Sequence, residues 1–321
     1  MNEIPILPGL PARTLAPAKI NLGLFLGPTR LQDGKHELVT VMQSISLADE
    51  LTLERAPAGA EQDEVSCPGV SGARTENLAA LALRAFRAAT GWDAPPLRLS
   101  IVKRIPVAAG LGGGSADAAA TLRLARHVSG LGEDQLLREL GVALGADVPA
   151  QVIPGRWLAG GAGELLEALP DPNPASFGLL VLPAAAELST AEVYAEADRL
   201  GLGRSSEVLR ERRHALRRAL ELSAAVPAAS ELLDNDLQRA AISLYPVLAV
   251  ALSQAREAGA DIALLSGSGP TVVGLFPHAN GLGRAERAAA GLAADRRSSG
   301  APAPICATPV DAAFARVSTG S

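Results

Sequence analysis

The stretch GLGGGSADAAATL, Gly110 to Leu122, places four glycines in five positions ahead of an alanine-rich run at helical spacing. Helix N-termini present unpaired backbone N–H groups and a partial positive charge. A glycine turn running into one is therefore suited to gripping phosphate, because no Cβ blocks close approach. Two common phosphate motifs do not fit. GxxxxGK[ST] fails because Ser115 follows Gly114 with no lysine between them. GxGxxG counted from Gly110 fails because its sixth position is Ser115, and no acidic residue occupies the later ribose position. The competing interpretation is a ligand-free flexible turn, with Ser115 serving only as an N-cap.

Working outward, LRLSIVKR at 97–104 alternates apolar and polar residues between prolines and predicts a half-buried strand. The glycine cluster thus lies between a strand and a helix. A second helix is predicted upstream in ENLAALALRAFRAAT, with Thr75 or Asn77 as its cap and Gly91 as its stop. Residues 37–54 predict early strands joined by a turn near Asp49. Downstream, DQLLRELGVALGADVP predicts a helix ending in a Gly/Pro turn, and FGLLVLP at 177–183 a buried strand. Three more helical stretches follow, the last interrupted at Pro246. IALLSGSGPTVVGLF then predicts strand, glycine turn, strand. The mixture indicates an α+β or α/β chain with a boundary near 155–180.

Composition narrows the function. The 321 residues correspond to about two domains. Apolar residues make up 48% but aromatics only 3%, so the core must be aliphatic and alanine-rich. A net charge of −5 with interspersed signs offers no basic stripe, which argues against a nucleic-acid partner. Cys67 and Cys306 have no zinc spacing and suit a reducing compartment. The N-terminus lacks an apolar signal core, and no stretch of about 20 apolar residues would span a membrane. The expectation is a cytoplasmic protein without a membrane partner.

PVAAGLGGGSADAA, together with APAKINLGL at 16–24 and LLSGSGPTVVGLF at 264–276, resembles in content and order the three motifs of the GHMP kinases, a family of small-molecule kinases. The resemblance implies a two-lobed α+β fold. The N-terminal lobe (1–165) would be related to the second domain of a ribosomal small-subunit protein, and the C-terminal lobe (166–321) would be ferredoxin-like. It also implies that Pro106, Val107, Ala108, Ala109, Gly110, Leu111, Gly112, Gly113, Gly114, Ser115 and Ala116 hold the phosphates of ATP. Mg2+ is expected with ATP; Ser115 is the nearest candidate contact, and no carboxylate ligand is assigned.

Four further segments, PAKINLGL, DGKHELVTVMQSISLADEL, LGADVP and NDLQ, are similar to the branch of that family acting on a cytidine-diphosphate-linked methylerythritol. By that similarity Lys19 and Asp147 are the catalytic pair, although alone they would be an ordinary lysine and a turn aspartate. Asn21 and His36 would line the two ends of the substrate, and Tyr194 would stack on cytosine. Gly267, Ser268 and Gly269 would close on the phosphate loop. Lys35 stands where the family has an aromatic, which puts cytosine binding in question. The alternatives are a GHMP kinase for homoserine or a mevalonate derivative, and a silent ligand sensor. A monomer or a homodimer is expected.

Overall fold

The structure is a computed structural model that describes residues 9–70, 77–185, 187–222, 226 and 230–320. Thr75, one of the two cap candidates, lies outside them. The chain is mixed α+β, built on two sheets.

The first sheet is organised by two long antiparallel strands, β1 (Ala12–Thr29) and β2 (His36–Arg55). Beyond β1, β2 has two successive partners on its other edge. Its first half pairs with β5 (Arg156–Gly160) and its second with β4 (Leu97–Val102). β3 (Glu64–Ser66) flanks β4, and β6 (Leu165–Leu169) flanks β5. The turn expected near Asp49 does not occur. Asp49 remains in β2 because its fully buried carboxylate accepts the backbone N–H groups of Arg104 at 2.5 Å and Ile105 at 2.8 Å. Those donors let a turn-forming acid sit inside a strand.

Helix α1 (Leu78–Thr90) is capped by Asn77, whose side chain accepts the N–H of Ala79, and stops at left-handed Gly91. Helix α2 (Gly113–Ser129) is buried around most of its circumference, with Ala116, Ala118, Ala119, Ala120 and Ala125 inside. Small side chains let it lie close to β1, α1 and α4 (Val148–Val152), which explains the alanine run after the glycines. Inserting a leucine at Ala119 would overpack this contact at a cost of about 1–3 kcal/mol. α3 (Asp134–Leu144) completes this layer. Both tryptophans of the chain lie in this half: Trp92 meets Phe86 edge-on, and Trp157 donates from Nε1 to Ile153 O.

The second sheet is antiparallel, in the order β10 (Ile305–Ala307), β7 (Phe177–Leu182), β9 (Val272–Pro277), β8 (Ile262–Leu265). β7 is buried throughout, as an unbroken apolar run should be. α8 (Val247–Glu257) and α9 (Gly281–Ser298) pack on the sheet. α7 (Gln238–Leu244) ends before Pro246, where the helical pattern was expected to break. α5 (Thr190–Arg199) packs on α7, whereas α6 (Ser206–Leu222) lies against β1 and β2 of the first sheet. The change of sheet falls between Leu169 and Phe177, and a division at 165/166 would cut β6 at its first residue. The chain finally returns as β11 (Ser318–Thr319) to pair with Ala12 and Arg13 on the first sheet.

Candidate active site

The glycine cluster forms the loop between β4 and α2. Gly112 is the N-cap of α2, in the left-handed region at φ 68°, and no side chain caps the helix. Ser115 is therefore inside the first turn and is not the N-cap. The uncapped first turn leaves N–H groups free for an anion. Position 110 requires glycine for space as well as conformation, because a backbone oxygen faces it, whereas at Gly112 the left-handed conformation decides and the crowding comes from side chains. A Cβ on Gly110 would lie 2.2 Å from Gly269 O, and one on Gly112 would lie 2.5 Å from Gln151 Nε2.

This loop forms the wall between two cavities. The larger, about 930 Å³, is lined by residues 106–115 together with Val65 to Val70, Asn77, Leu78, Lys103 and Asp117. The smaller, about 280 Å³, shares Gly110, Gly112 and Ser115 and is otherwise lined by both halves of the chain. Its walls include Lys19, Asn21, Thr40, Asp147, Thr190, Tyr194, Gly267 and Ser268.

The polar groups of the smaller cavity form a relay. Lys19 Nζ donates to Asn21 Oδ1 at 2.9 Å and lies 3.3 Å from Asp147 Oδ2. Asn21 Nδ2 donates to Thr40 Oγ1 at 2.8 Å, which donates to Gly23 O at 2.6 Å. The Lys19 side chain is 8% exposed and that of Asp147 is 30% exposed, so the lysine is fixed while the carboxylate remains accessible. Lys19 N donates to Leu111 O at 3.0 Å, tying β1 directly to the glycine loop. Asp147 occupies the N-cap position of α4 without making a side-chain cap bond, so its oxygens are not consumed by the helix.

The glycine turn between β8 and β9 approaches from the opposite side. Ser266 Oγ donates to Gly110 O at 3.3 Å, and Ser268 Oγ lies 3.0 Å from Thr190 Oγ1. Asn235 holds this turn, donating from Nδ2 to Leu265 O at 2.9 Å and Gly267 O at 2.7 Å. Tyr194 lines the cavity. Burial, with the nearby Asp147 charge adding, pushes its phenol up to about 12, so it stays neutral across the physiological range. The His36 ring centre lies 5.5 Å from that of Tyr194, with Nδ1 3.1 Å from Gly27 O and Nε2 3.2 Å from Asp198. Lys35 is exposed on the turn before β2 and lines neither cavity.

The structure thus brings together Lys19, Asn21, Asp147, Tyr194 and both glycine turns, sets His36 behind Tyr194, and leaves Lys35 outside. Sequence reasoning missed Thr40, Thr190, Gln151 and the Lys103–Asp117 pair. Asn235 belonged to a noted motif, NDLQ, but carried no role. Among the described residues no group of three or more His, Cys, Asp or Glu side chains could hold a metal ion.

A glycine turn suited to phosphate, beside a buried lysine and an accessible carboxylate, is the arrangement expected of a nucleotide-dependent small-molecule kinase. Comparison with known proteins agrees. Residues 77–155 match the model of the GHMP kinase N-terminal domain, and residues 206–295 that of the C-terminal domain. A Salinispora tropica protein named 4-diphosphocytidyl-2-C-methyl-D-erythritol kinase is 41% identical over 287 residues, 88% of each chain. A Gloeobacter violaceus protein of the same name is 43% identical over 82% of this chain and 85% of its own. A crystal structure of 4-(cytidine 5'-diphospho)-2C-methyl-D-erythritol kinase superposes with a TM-score of 0.72 at 32% identity, covering 92% of this chain and 98% of that one. Homoserine kinase from Cytophaga hutchinsonii reaches the same TM-score at 14% identity and so shares the fold. The chain belongs to the GHMP kinase family, whose members use ATP. Among the described residues, no helix is long and apolar enough to cross a membrane.

Proposed function

We propose that this kinase transfers the γ-phosphoryl group of ATP to the 2-hydroxyl of 4-diphosphocytidyl-2-C-methyl-D-erythritol. The products are the 2-phosphate and ADP, in the non-mevalonate route to isoprenoid precursors. The observation that carries the substrate is the identity of 41% and 43%, over more than four-fifths of both chains, to proteins bearing that name. Homoserine and mevalonate kinases share the fold at only 13–20% identity.

In this reading the larger cavity takes ATP and the smaller takes the alcohol. The N–H groups at the start of α2 hold the phosphates, and Mg2+ bound to those phosphates would supply further charge neutralisation there. Asp147 attracts the proton of the 2-hydroxyl as the O–P bond forms and the bond to ADP breaks. Lys19 keeps that carboxylate oriented and offsets charge on the transferring group. Tyr194, backed by His36, gives cytosine an aromatic face, while Asn21, Thr40, Thr190 and the Gly267–Gly269 turn surround the erythritol. Lys35 contributes at most its aliphatic stem.

The test is an ADP-release assay with three acceptors. Turnover with the cytidine-diphosphate-linked acceptor well above that with homoserine or mevalonate supports the proposal. Preference for either of the others would overturn the substrate. Release of no ADP with any acceptor would leave a sensor on a kinase fold.

A further inference from the structure

A second buried charge cluster lies at the root of the glycine loop, outside the Lys19–Asp147 pair. Lys103, one residue past β4, contacts the carboxylate of Asp49 in β2 and donates to Asp117 Oδ2 in α2 at 2.7 Å. Asp49 spends its other oxygen on the N–H groups of Arg104 and Ile105, the last two residues before the loop. Asp117 lies in the helix that the loop enters. Two acids and one lysine therefore tie the strand before the loop, the helix after it and the long central strand of the sheet to one point.

The cluster is expensive as plain architecture. Burial pushes the Asp117 carboxyl up to about 7 against the pull of Lys103, with Asp49 raising it further. Burial also lowers the Lys103 ammonium, but the two acids outweigh this and hold it above the ordinary lysine value. Among the described residues the buried Asp117 Oδ1 has no hydrogen-bond partner. Apolar residues of similar volume would do better if stability alone were at stake. The chain between the tied ends, however, must hold three left-handed residues: Ala108 at φ 55°, Gly110 at 73° and Gly112 at 68°. The glycines adopt this region freely and so do not fix it by themselves, while Ala108 is held in it only by its surroundings. Lys103 and Asp117 also line the larger cavity.

We propose that Asp49, Lys103 and Asp117 are positioning residues for the nucleotide: they clamp both ends of the phosphate loop and preset its N–H groups before ATP arrives. This rests on the reading of the loop as the phosphate cradle. The clamp acts on ATP affinity, because a loop held in its binding shape loses less freedom when the phosphates dock. It makes no contact with the acceptor cavity, so the alcohol and the transfer from bound ATP are left alone.

The test is steady-state kinetics with ATP and the alcohol varied separately for the wild type, Lys103→Met, Lys103→Arg, Asp49→Asn and Gly112→Ala. Lys103→Met is expected to raise KM for ATP about ten- to a hundredfold, the value of charge-assisted bonds, with KM for the alcohol and kcat at saturating ATP within about twofold. Lys103→Arg should recover most of that loss. Asp49→Asn keeps an oxygen for the two N–H groups while removing the negative charge that faces Lys103, and should fall between. A folded Lys103→Met enzyme with unchanged KM for ATP, or a loss confined to kcat, overturns the proposal. Hydrogen exchange on the wild type decides the case even if the variants fail to fold. The Arg104 and Ile105 amides should be protected without nucleotide, and rapid exchange until ATP is added overturns the clamp. Gly112→Ala separates the two levels. If it leaves KM for ATP unchanged, the cradle reading itself fails; if it raises KM while Lys103→Met does not, only the clamp fails.

Discussion

The two cavities either side of the glycine loop are built in opposite ways. The larger is lined chiefly by one continuous glycine-rich segment, residues 106–115, with residues 65–70 and 77–78, Lys103 and Asp117 completing it. The smaller is a meeting of side chains from β1, β2, α5, the turn before α4 and the β8–β9 turn, which are far apart in the chain and come from both sheets. A backbone cradle recognises what all nucleotides share, phosphate, through groups every residue has. A side-chain pocket recognises one alcohol through groups that must be chosen individually. Substitutions should divide along the same line, with those in the first cavity moving ATP and those in the second moving the acceptor and the chemistry.

The sharpest break is at Asp147. Asp147→Asn keeps volume and removes the proton acceptor, so kcat should fall about 10²- to 10⁴-fold with KM for ATP nearly unchanged. Near-normal turnover would take Asp147 out of the chemistry. Next is Gly112→Ala on the shared wall. Its Cβ would meet Gln151 Nε2 at 2.5 Å and Lys19 Cγ at 3.0 Å, at a left-handed residue. KM for ATP should rise at least about tenfold, and stability should drop by about 1–2 kcal/mol on backbone grounds alone. Tyr194→Ala should raise KM for the cytidine substrate about tenfold and leave ATP untouched, if ring stacking contributes about 1 kcal/mol beyond its area. A matching rise in KM for ATP would dissolve the division between cavities.

Asn235→Ala strips the donors from Leu265 O and Gly267 O and should cost about 1–3 kcal/mol in a thermal melt, with a smaller effect on kcat. The smallest effect is on pH dependence. Asp117 in the folded chain titrates near 7, above an ordinary carboxyl, so the native form retains a proton that the unfolded form releases. Its contribution to stability is present at low pH and is lost as pH rises from about 4 to about 7. Asp117→Asn lacks that loss. Its melting temperature relative to wild type should therefore climb between pH 4.5 and 7.5, and a flat difference would contradict the shift.

The same contrast explains what could be read from the sequence. The glycine loop, its strand and its helix are contiguous, so spacing and periodicity located them, and the missing lysine and Ser115 at the sixth position each ruled out a rival motif. Asp49 misled because acids favour turns; only the N–H groups of Arg104 and Ile105, more than 50 residues away, keep it in a strand. Lys19 and Asp147 were ordinary residues by local sequence, and family resemblance alone singled them out. Thr40 and Thr190 had no signal, since a threonine bonded across the sheet, or to a turn 78 residues further along the chain, looks like any other threonine. Lys35, which drew attention as a departure from the family, sits on an exposed turn away from both cavities.

The scarcity of aromatic residues has a practical side. Trp92 and Trp157, the only two indoles, both belong to the half organised by the first sheet, packed under α1 and beside α4. Intrinsic emission is therefore an almost one-sided optical probe. A fluorescence melt follows the half organised by the first sheet, whereas circular dichroism follows all helices together. If the two transitions coincide, the halves open as one cooperative unit; if emission lags or leads, the two sheets come apart in turn.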